Sequence, residues 1–515
     1  MTILHNIRTV ARYEATTLRR SWFFRLFSIS ALVIFTFMNI GIFSPVGDES
    51  WSFVSNPATL PLVNLFLLNI AQSIVVIFLA SDFLKRDKKV DTNEVLYTRS
   101  MSNFEYVSGK TLGVLRLFIG LDIIILLIGL VINIISKSMT VDLMAYLSYL
   151  LIICVPTILF SLGLAFMLMS LIRNQAITFL LLLGIAALDM FWVWFRMGYI
   201  FDYMAFGLPV LKSTIAGFDN MYLIINQRLL YTFLGLALVM TTILLFKRLP
   251  QSRLHTTVTY ILLAAFVAGA GLCGYNTFSL HKNEISEKQQ VIETNRKFEN
   301  TKMVRVKTAD IDLVHKGEII EATASLKFTN ENPETLAGYC FSLNPGLIIS
   351  SITSAGKDLP YKTTAHIVEV KPSSPLLPGK TDSLVISYRG TIKESFCYPD
   401  NKGDPKESPY RIDMIAVNKR QAFITSEYVL LTPDAHWYPV AGLNYYPTNP
   451  ARIKVDFTDY TLSVKTEPGL IPVSQGELET SDDVFRFRPE SPLTGLTLAI
   501  GNYLSDTLKV DSVKY

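Results

Sequence analysis

Apolar positions run in long unbroken blocks through residues 1–280 and in short alternating blocks from residue 303 onward. The long blocks predict spanning helices at about 26–44, 60–81, 112–135, 146–170, 176–195, 229–246 and 257–279. About 20 apolar residues cross the ~30 Å hydrocarbon core of a bilayer, where a helix keeps its backbone polar groups paired. Residues 281–300 are polar, without Pro or Gly, and predict a stalk helix ending near 302. The alternating blocks predict strands at 304–311, 318–329, 346–354, 365–370, 382–388, 422–431, 453–457, 461–466, 484–488 and 496–502. Turn signals such as Asn332-Pro333, Gly356-Lys357-Asp358, Pro378-Gly379 and Pro468-Gly469 separate them. The fold class that follows is a polytopic α-helical membrane domain of about seven spans, then an all-β antiparallel sandwich outside the cytoplasm.

Basic residues orient the spans. Arg8, Arg12, Arg19, Arg20 and Arg25 precede the first. Lys85, Arg86, Lys88, Lys89, Arg99 and Lys110 follow the second, Arg173 follows the fourth, and Lys247, Arg248 and Arg253 follow the sixth. The loop at 45–59 has Asp48 and Glu49 and no Lys or Arg. The N-terminus is therefore expected in the cytoplasm, and residues 281–515 on the periplasmic or extracellular side of the inner (plasma) membrane. The first block carries no cleavage site and reads as a retained helix. Residues 1–25 place Leu4, Ile7, Val10, Ala11, Ala15 and Leu18 at helical spacing beside the arginines, as in a helix lying on the cytoplasmic lipid interface. The external loop at 196–228 has room for short interfacial helices. At 17% charged residues and a net charge of +4, nothing argues for nucleic acid. Cys154 and Cys273 fall in apolar blocks, whereas Cys340 and Cys397 could pair if their domain is exported.

The segment after the second block is rich in charge. It reads Ser81-Asp82-Phe83, a basic patch, Glu94-Val95-Leu96-Tyr97-Thr98-Arg99-Ser100-Met101-Ser102, then Glu105-Tyr106-Val107-Ser108-Gly109-Lys110. An interfacial leader, two spans, an acidic residue at the end of the second and this stretch together resemble the permease subunit of type-2 ABC transporters. The resemblance covers about residues 5–246, with 26–246 as the six-span permease domain and 247–280 as an added seventh span. It implies that Asp82, Glu94, Leu96, Tyr97, Ser102, Glu105, Tyr106, Gly109 and Lys110 form a loop that couples to a separate ATPase carrying the ATP. It also implies a second permease, the same or different, across a shared path. No cofactor is expected on this chain. A phosphate loop needs two glycines flanking four residues before Lys-Ser/Thr, and Phe104 and Ser374 occupy the first-glycine positions of the two nearest matches, at 109–111 and 379–381.

A second resemblance lies in about 303–515. Ser387-Tyr388-Arg389-Gly390 is followed by Leu431-Thr432-Pro433-Asp434-Ala435-His436-Trp437-Tyr438-Pro439. Then come Asp456-Phe457-Thr458-Asp459-Tyr460-Thr461-Leu462-Ser463-Val464, Pro468, Gly476, Pro492-Leu493-Thr494 and Ala499-Ile500-Gly501-Asn502-Tyr503. This order is similar to the N-terminal β-domain of the aminopeptidase N family of zinc peptidases. Two departures stand out. The family's amine-binding carboxylate aligns near Leu430 or Leu431, with Glu427 out of register, and the family's zinc site belongs to a following domain. None of His5, His255, His281, His315, His366 and His436 has the H-E-x-x-H spacing, and His436 reads as a structural residue in place of an arginine. The chain is then either part of a permease–peptidase fusion or a permease that keeps the β-domain for binding.

Asp122 falls about ten residues into the third block, near mid-span. A buried acid there is costly, which makes it a functional candidate, or else helix glue with Asn39, Asn69 or Gln72 as its partner. The leading expectation is a permease with an exterior domain that contacts substrate or an accessory protein. The rivals are a membrane-anchored zinc aminopeptidase piece and a sensor, and no predicted cytoplasmic segment is long enough for a signalling domain.

Overall fold

The computed structural model describes residues 2–43, 56–81, 101–136, 140–193, 199–246, 253–399, 411–412, 415–416, 420–449, 456–504, 509–510 and 513–514. The chain divides into two compact units, Met1–Lys282 with Asp404–Asn418, and Asn283–Gly403 with Lys419–Tyr515.

The first unit is helical. Its helices are α1 (Thr2–Arg20), α2 (Trp22–Phe43), α3 (Thr59–Ser81), α4 (Asn103–Ser136), α5 (Leu143–Ile172), α6 (Gln175–Val193), α7 (Met221–Leu245) and α8 (Arg253–Phe298). Seven of them, α2 to α8, are long and apolar enough to cross a membrane. Their outward faces stay apolar, as with Ile29, Val33, Ile34 and Phe37 on α2 and Ile123, Ile124, Leu127 and Val131 on α4. Each predicted block falls on one of these helices, which all begin earlier than predicted, while α2, α6 and α7 end one or two residues sooner. The stalk is no separate element, because α8 continues without a break from the seventh apolar block through residue 298. The segment between α6 and α7, described from residue 199, makes a short ladder of Lys212–Ser213 with Gly217–Phe218 in place of the expected interfacial helices.

Proline shapes the middle of α5. Pro156 has no N–H to offer the carbonyl of Ile152, and its ring crowds that carbonyl. The helix widens into a π turn at Leu150–Cys154. Arg228 of α7, fully buried, takes up the freed acceptors. Its Nε donates to Ile152 O at 2.7 Å, and Nη2 donates to Ile153 O at 3.3 Å and Thr157 Oγ1 at 2.9 Å. Nη1 donates to Tyr203 O at 3.1 Å. The same loop is held by Gln227, which donates to Asp202 O at 2.6 Å, while Asp202 accepts the N–H groups of Phe206, Gly207 and Leu208.

Three buried amides on α3 tie three other elements. Asn64 and Asn39 of α2 exchange bonds of 2.9 and 3.0 Å. Asn69 donates to Met204 O at 2.9 Å. Gln72 donates to Asp122 of α4 at 2.6 Å. Gly129 of α4 leaves room for the Asn39–Asn64 pair, since a Cβ there would sit 3.0 Å from Asn64 Nδ2.

The second unit is β-rich. The strands of its three larger sheets are β1 (Arg305–Lys316), β2 (Ile319–Thr329), β3 (Tyr339–Ser342), β4 (Leu347–Ser354), β5 (Lys357–Asp358), β6 (Tyr361–Thr364), β7 (Ile367–Val370), β8 (Thr381–Gly390), β9 (Ala422–Ile424), β10 (Val429–Leu431), β11 (Asp459–Lys465), β12 (Ile471–Val473), β13 (Glu477–Ser481), β14 (Val484–Arg488) and β15 (Leu498–Gly501). An eight-stranded sheet runs β13-β14-β11-β1-β2-β8-β4-β5, beside a four-stranded sheet β9-β10-β15-β12 and a three-stranded sheet β3-β7-β6. Side chains alternate across β1 and β2, so Ile311, Leu313, Ala324, Leu326 and Phe328 enter one core. Leu431, Trp437 and Ile500 join that core.

The all-antiparallel expectation fails at one place. β11 pairs parallel to β1, Asp459 opposite Thr308 through Lys465 opposite Val314. The predicted strand at 422–431 is a hairpin, β9 with β10, because Thr425 closes a turn by accepting from Tyr428 N. Strands β3, β5, β6, β12 and β13 lay outside the predicted blocks. Residues 450–455, which hold most of the predicted strand at 453–457, lie outside the described residues.

Replacing Arg228 with Leu is expected to cost about 3–5 kcal/mol, since it strands several buried carbonyls and removes the cation near Asp202. Denaturant titration of the purified chain checks this. Arg228→Lys should recover little, because one ammonium cannot span acceptors on two elements.

Candidate functional site: the joint at the head of α4

The described part of the motif builds a joint between α1, α4 and the end of α7. α4 begins with a capping box. Ser102 Oγ accepts from Glu105 N at 3.2 Å, and Glu105 Oε2 accepts from Ser102 N at 2.7 Å and from Ser102 Oγ at 2.8 Å. The other oxygen, Glu105 Oε1, accepts from Asn6 Nδ2 of α1 at 2.9 Å. Asn103 donates to Phe246 O at 2.7 Å, and the buried Tyr106 ring stacks on Phe246 with centroids 5.6 Å apart.

One turn further, Gly109 and Gly113 let α1 lie against α4. A Cβ on Gly109 would come within 2.6 Å of Val10 Cβ, and one on Gly113 within 2.7 Å of the Ala11 carbonyl. This is small-residue packing at i, i+4. Lys110, between the glycines, reaches Glu14 at 3.5 Å, with both side chains 4% exposed. The Lys110 ammonium also lies 5.0 Å from the centre of the Tyr106 ring. The predicted apolar face of α1 is partly right. Ala11 and Leu18 are buried, whereas Leu4 is 80% exposed and Glu14 lies inside. Arg8, Arg12, Arg19, Arg20 and Arg25 are exposed.

Of the predicted coupling residues, Ser102, Glu105, Tyr106, Gly109 and Lys110 come together in this joint. They are internal to it rather than displayed on an exposed loop. Asp82, Glu94, Leu96 and Tyr97 lie outside the described residues. The sequence reading missed the capping box and the Gly-x-x-x-Gly spacing. Both were visible, as S-x-x-E at 102–105 and as glycines at 109 and 113.

Asp122 is remote from the joint. It is fully buried and accepts from Gln72, one of its three expected partners. Asn39 and Asn69 bond elsewhere. Cys340 and Cys397 are both buried and free, so the expectation that they could pair is not met. Cys340 packs with Ile367, Leu443 and Tyr446, while Cys397 belongs to the main core of the β-rich unit. Burial pushes both thiols up to about 12, Glu369 adding to the shift at Cys340 and Glu394 and Asp434 at Cys397.

Among the described residues no group of three or more His, Cys, Asp or Glu is placed to hold a metal ion. His366 and His436 flank the Phe396 ring, with centroids 4.9 and 5.3 Å away. His366 Nε2 lies 2.7 Å from Asn295 Oδ1, and Asn295 in turn donates to Asn444 at 2.9 Å. His436 takes a left-handed backbone at φ 45° after the turn Pro433–Ala435. Glu427 sits in the hairpin turn between β9 and β10.

No family model matches the chain, and no curated protein matches it. Among solved structures it is similar to the M1 zinc metallopeptidase from Deinococcus radiodurans, at 17% identity over 42% of this chain and 46% of that one, with a TM-score of 0.31. The same peptidase bound to a Tyr-Ser-Ala substrate gives 16% identity over 41% and 46%, with a TM-score of 0.30. The leukotriene A4 hydrolase from Saccharomyces cerevisiae gives 14% identity over 39% and 29%, with a TM-score of 0.26. The chain thus spans less than half the length of these proteins.

Two outcomes test the packing. Gly113→Leu should free α1, raising hydrogen exchange across residues 2–20, while Gly120→Leu, which faces open space, should leave it unchanged. The second concerns acid. Burial holds His366 down to about 3, with His436 adding to the shift, and burial holds His436 down to about 4. An unfolded histidine titrates near 6.5. Between those values the unfolded chain binds more protons at these two residues, so their contribution to stability is complete above pH ~6.5 and falls as pH drops toward 3–4. The slope reaches about 2.7 kcal/mol per pH unit for two groups. Exchange of Ile367–Val370 in the full chain, corrected for intrinsic rate, should rise at pH 5 and should do so much less in His366→Gln/His436→Gln.

Proposed function

We propose that the chain is the membrane-embedded permease subunit of an ABC transporter. A separate ATPase supplies the energy, and a second permease, identical or not, completes the path. The observation that carries this reading is the joint of α1 on α4. The segment that resembles the family's coupling loop leads straight into that joint, which locks the N-terminal helix to the head of a long helix reaching the middle of the bundle. A displacement applied near residues 82–102 would pass into α4 as a rigid-body movement, because the capping box and the glycine contacts leave little slack. The apolar outward faces of α2 and α4 suit lipid, and the arginines exposed on α1 suit the cytoplasmic headgroups. In this reading the β-rich unit lies outside the cytoplasm and contacts substrate or an accessory protein.

A second reading, the N-terminal part of a membrane-anchored zinc aminopeptidase, is favoured by the order of residues in 387–503. It requires a zinc-bearing domain that these residues do not build. The two readings are compatible in one fusion.

Cross-linking in native membranes followed by purification of the full chain should recover a protein with a complete phosphate loop. Glu94→Lys should reduce that recovery at least several-fold. Recovery of no nucleotide-binding protein, or recovery untouched by the charge reversal, would remove the docking role.

A further inference from the structure

Side-chain pairs bridge α3 to both α2 and α4, and one of the two is short of a donor. Asn39 and Asn64 close a ring, each amide donating once and accepting once. On the same helix as Asn64, Gln72 makes half of such a ring. Its Nε2 donates to Asp122 Oδ1 at 2.6 Å, yet Gln72 Oε1 and Asp122 Oδ2 are both buried without a partner. An ionised carboxylate can only accept. It would leave both acceptors orphaned in an apolar interior, each at the cost of its desolvation. A carboxylic acid protonated on Oδ2 supplies the missing donor, and the two orphaned atoms then satisfy each other.

We propose that Asp122 is a proton-binding site, held as a neutral acid whose Oδ2–H donates to Gln72 Oε1, so that α3 and α4 are latched by a two-bond acid–amide ring. The ligand is a proton. When water reaches the site, the O–H bond breaks, the electron pair stays on Oδ2 and the proton leaves as hydronium. The ring then loses one bond, and the new carboxylate oxygen faces the amide oxygen of Gln72. The same change that ionises the acid pushes the two helices apart.

The side chains that act on the acid carry no formal charge. From α3 the facing groups are the neutral amides Gln72 and Asn69. From α5 it is Cys154, whose thiol interacts with Asp122 and is a weak donor. On α7, Arg228 acts on Cys154 and spends its donors on Ile152, Ile153, Thr157, Tyr203 and Gln227, and its charge interacts with Asp202, Tyr231 and Asp189. From α2 the nearby polar group is Asn39, paired to Asn64. The Glu14–Lys110 pair between α1 and α4 is twelve residues earlier on α4, about 18 Å along the axis. The inference uses only these interior groups and stands whether or not an ATPase docks.

Infrared spectroscopy of the full chain in detergent at neutral pH tests it. The difference between wild type and Asp122→Asn should show loss of a protonated-carboxyl C=O stretch that shifts in D2O. A carboxylate band in that difference would overturn the proposal. Asn at 122 offers a donor and an acceptor in the same places, so this variant should fold and resist heat as wild type does; failure to fold would equally overturn it. Raising the pH should increase hydrogen exchange of α3 and α4, corrected for intrinsic rate, in wild type and leave the corrected exchange of Asp122→Asn flat. A cation in place of the proton is the remaining alternative. Stabilisation of wild type by NaCl over choline chloride, absent in Asp122→Asn, would assign the site to sodium and sink the proton.

Discussion

A polar group inside an apolar bundle must find a partner there, and the helical unit is organised by that requirement. Its interior holds Asn39, Asn64, Asn69, Gln72, Asp122, Gln227 and Arg228, all buried. Leu and Ile faces would pack in many registers with little difference in energy. The amides and the guanidinium allow few, because each unpaired N–H or C=O costs roughly 1–3 kcal/mol. α3 is the axis of this arrangement, sending one amide each to α2, the loop at Met204 and α4. Arg228 does the same around the π turn of α5. The defect made by Pro156 and the cation that fills it are a single feature, and neither would be tolerated without the other.

The legible part of the fold was its coarse division. Blocks of apolar residues marked the helices because length alone decides there, and alternation marked the longest strands because one face of β1, β2 and β8 is buried. The π turn was hidden, since its cause is one proline whose partner lies over 70 residues away. The parallel pairing of β11 with β1 was hidden for the same reason, as each strand reads alike in either direction. Short strands such as Tyr361–Thr364, with largely exposed side chains, carry no alternation to read.

The site was half legible. Residues 102–110 were singled out for their resemblance to a coupling loop, and they do act together, but as a joint turned inward. Glu105 was grouped with docking residues, while its oxygens are occupied by Ser102 and Asn6. What the pattern could not convey was which side of a charged stretch faces the protein. A glutamate three residues after a serine has a local use that competes with any use at the surface, and here the local use prevails.

The place of β11 has a consequence for synthesis. β1 gains β2 as soon as the hairpin at Gly317 emerges, but its other edge stays bare until a strand some 150 residues later is made. At translation rates of about 5–20 residues per second, that edge waits roughly 8–30 s with its N–H and C=O groups unclaimed. An open edge of that duration can template pairing with another chain. During that interval β1 is an edge strand, a state that the finished sheet no longer reveals.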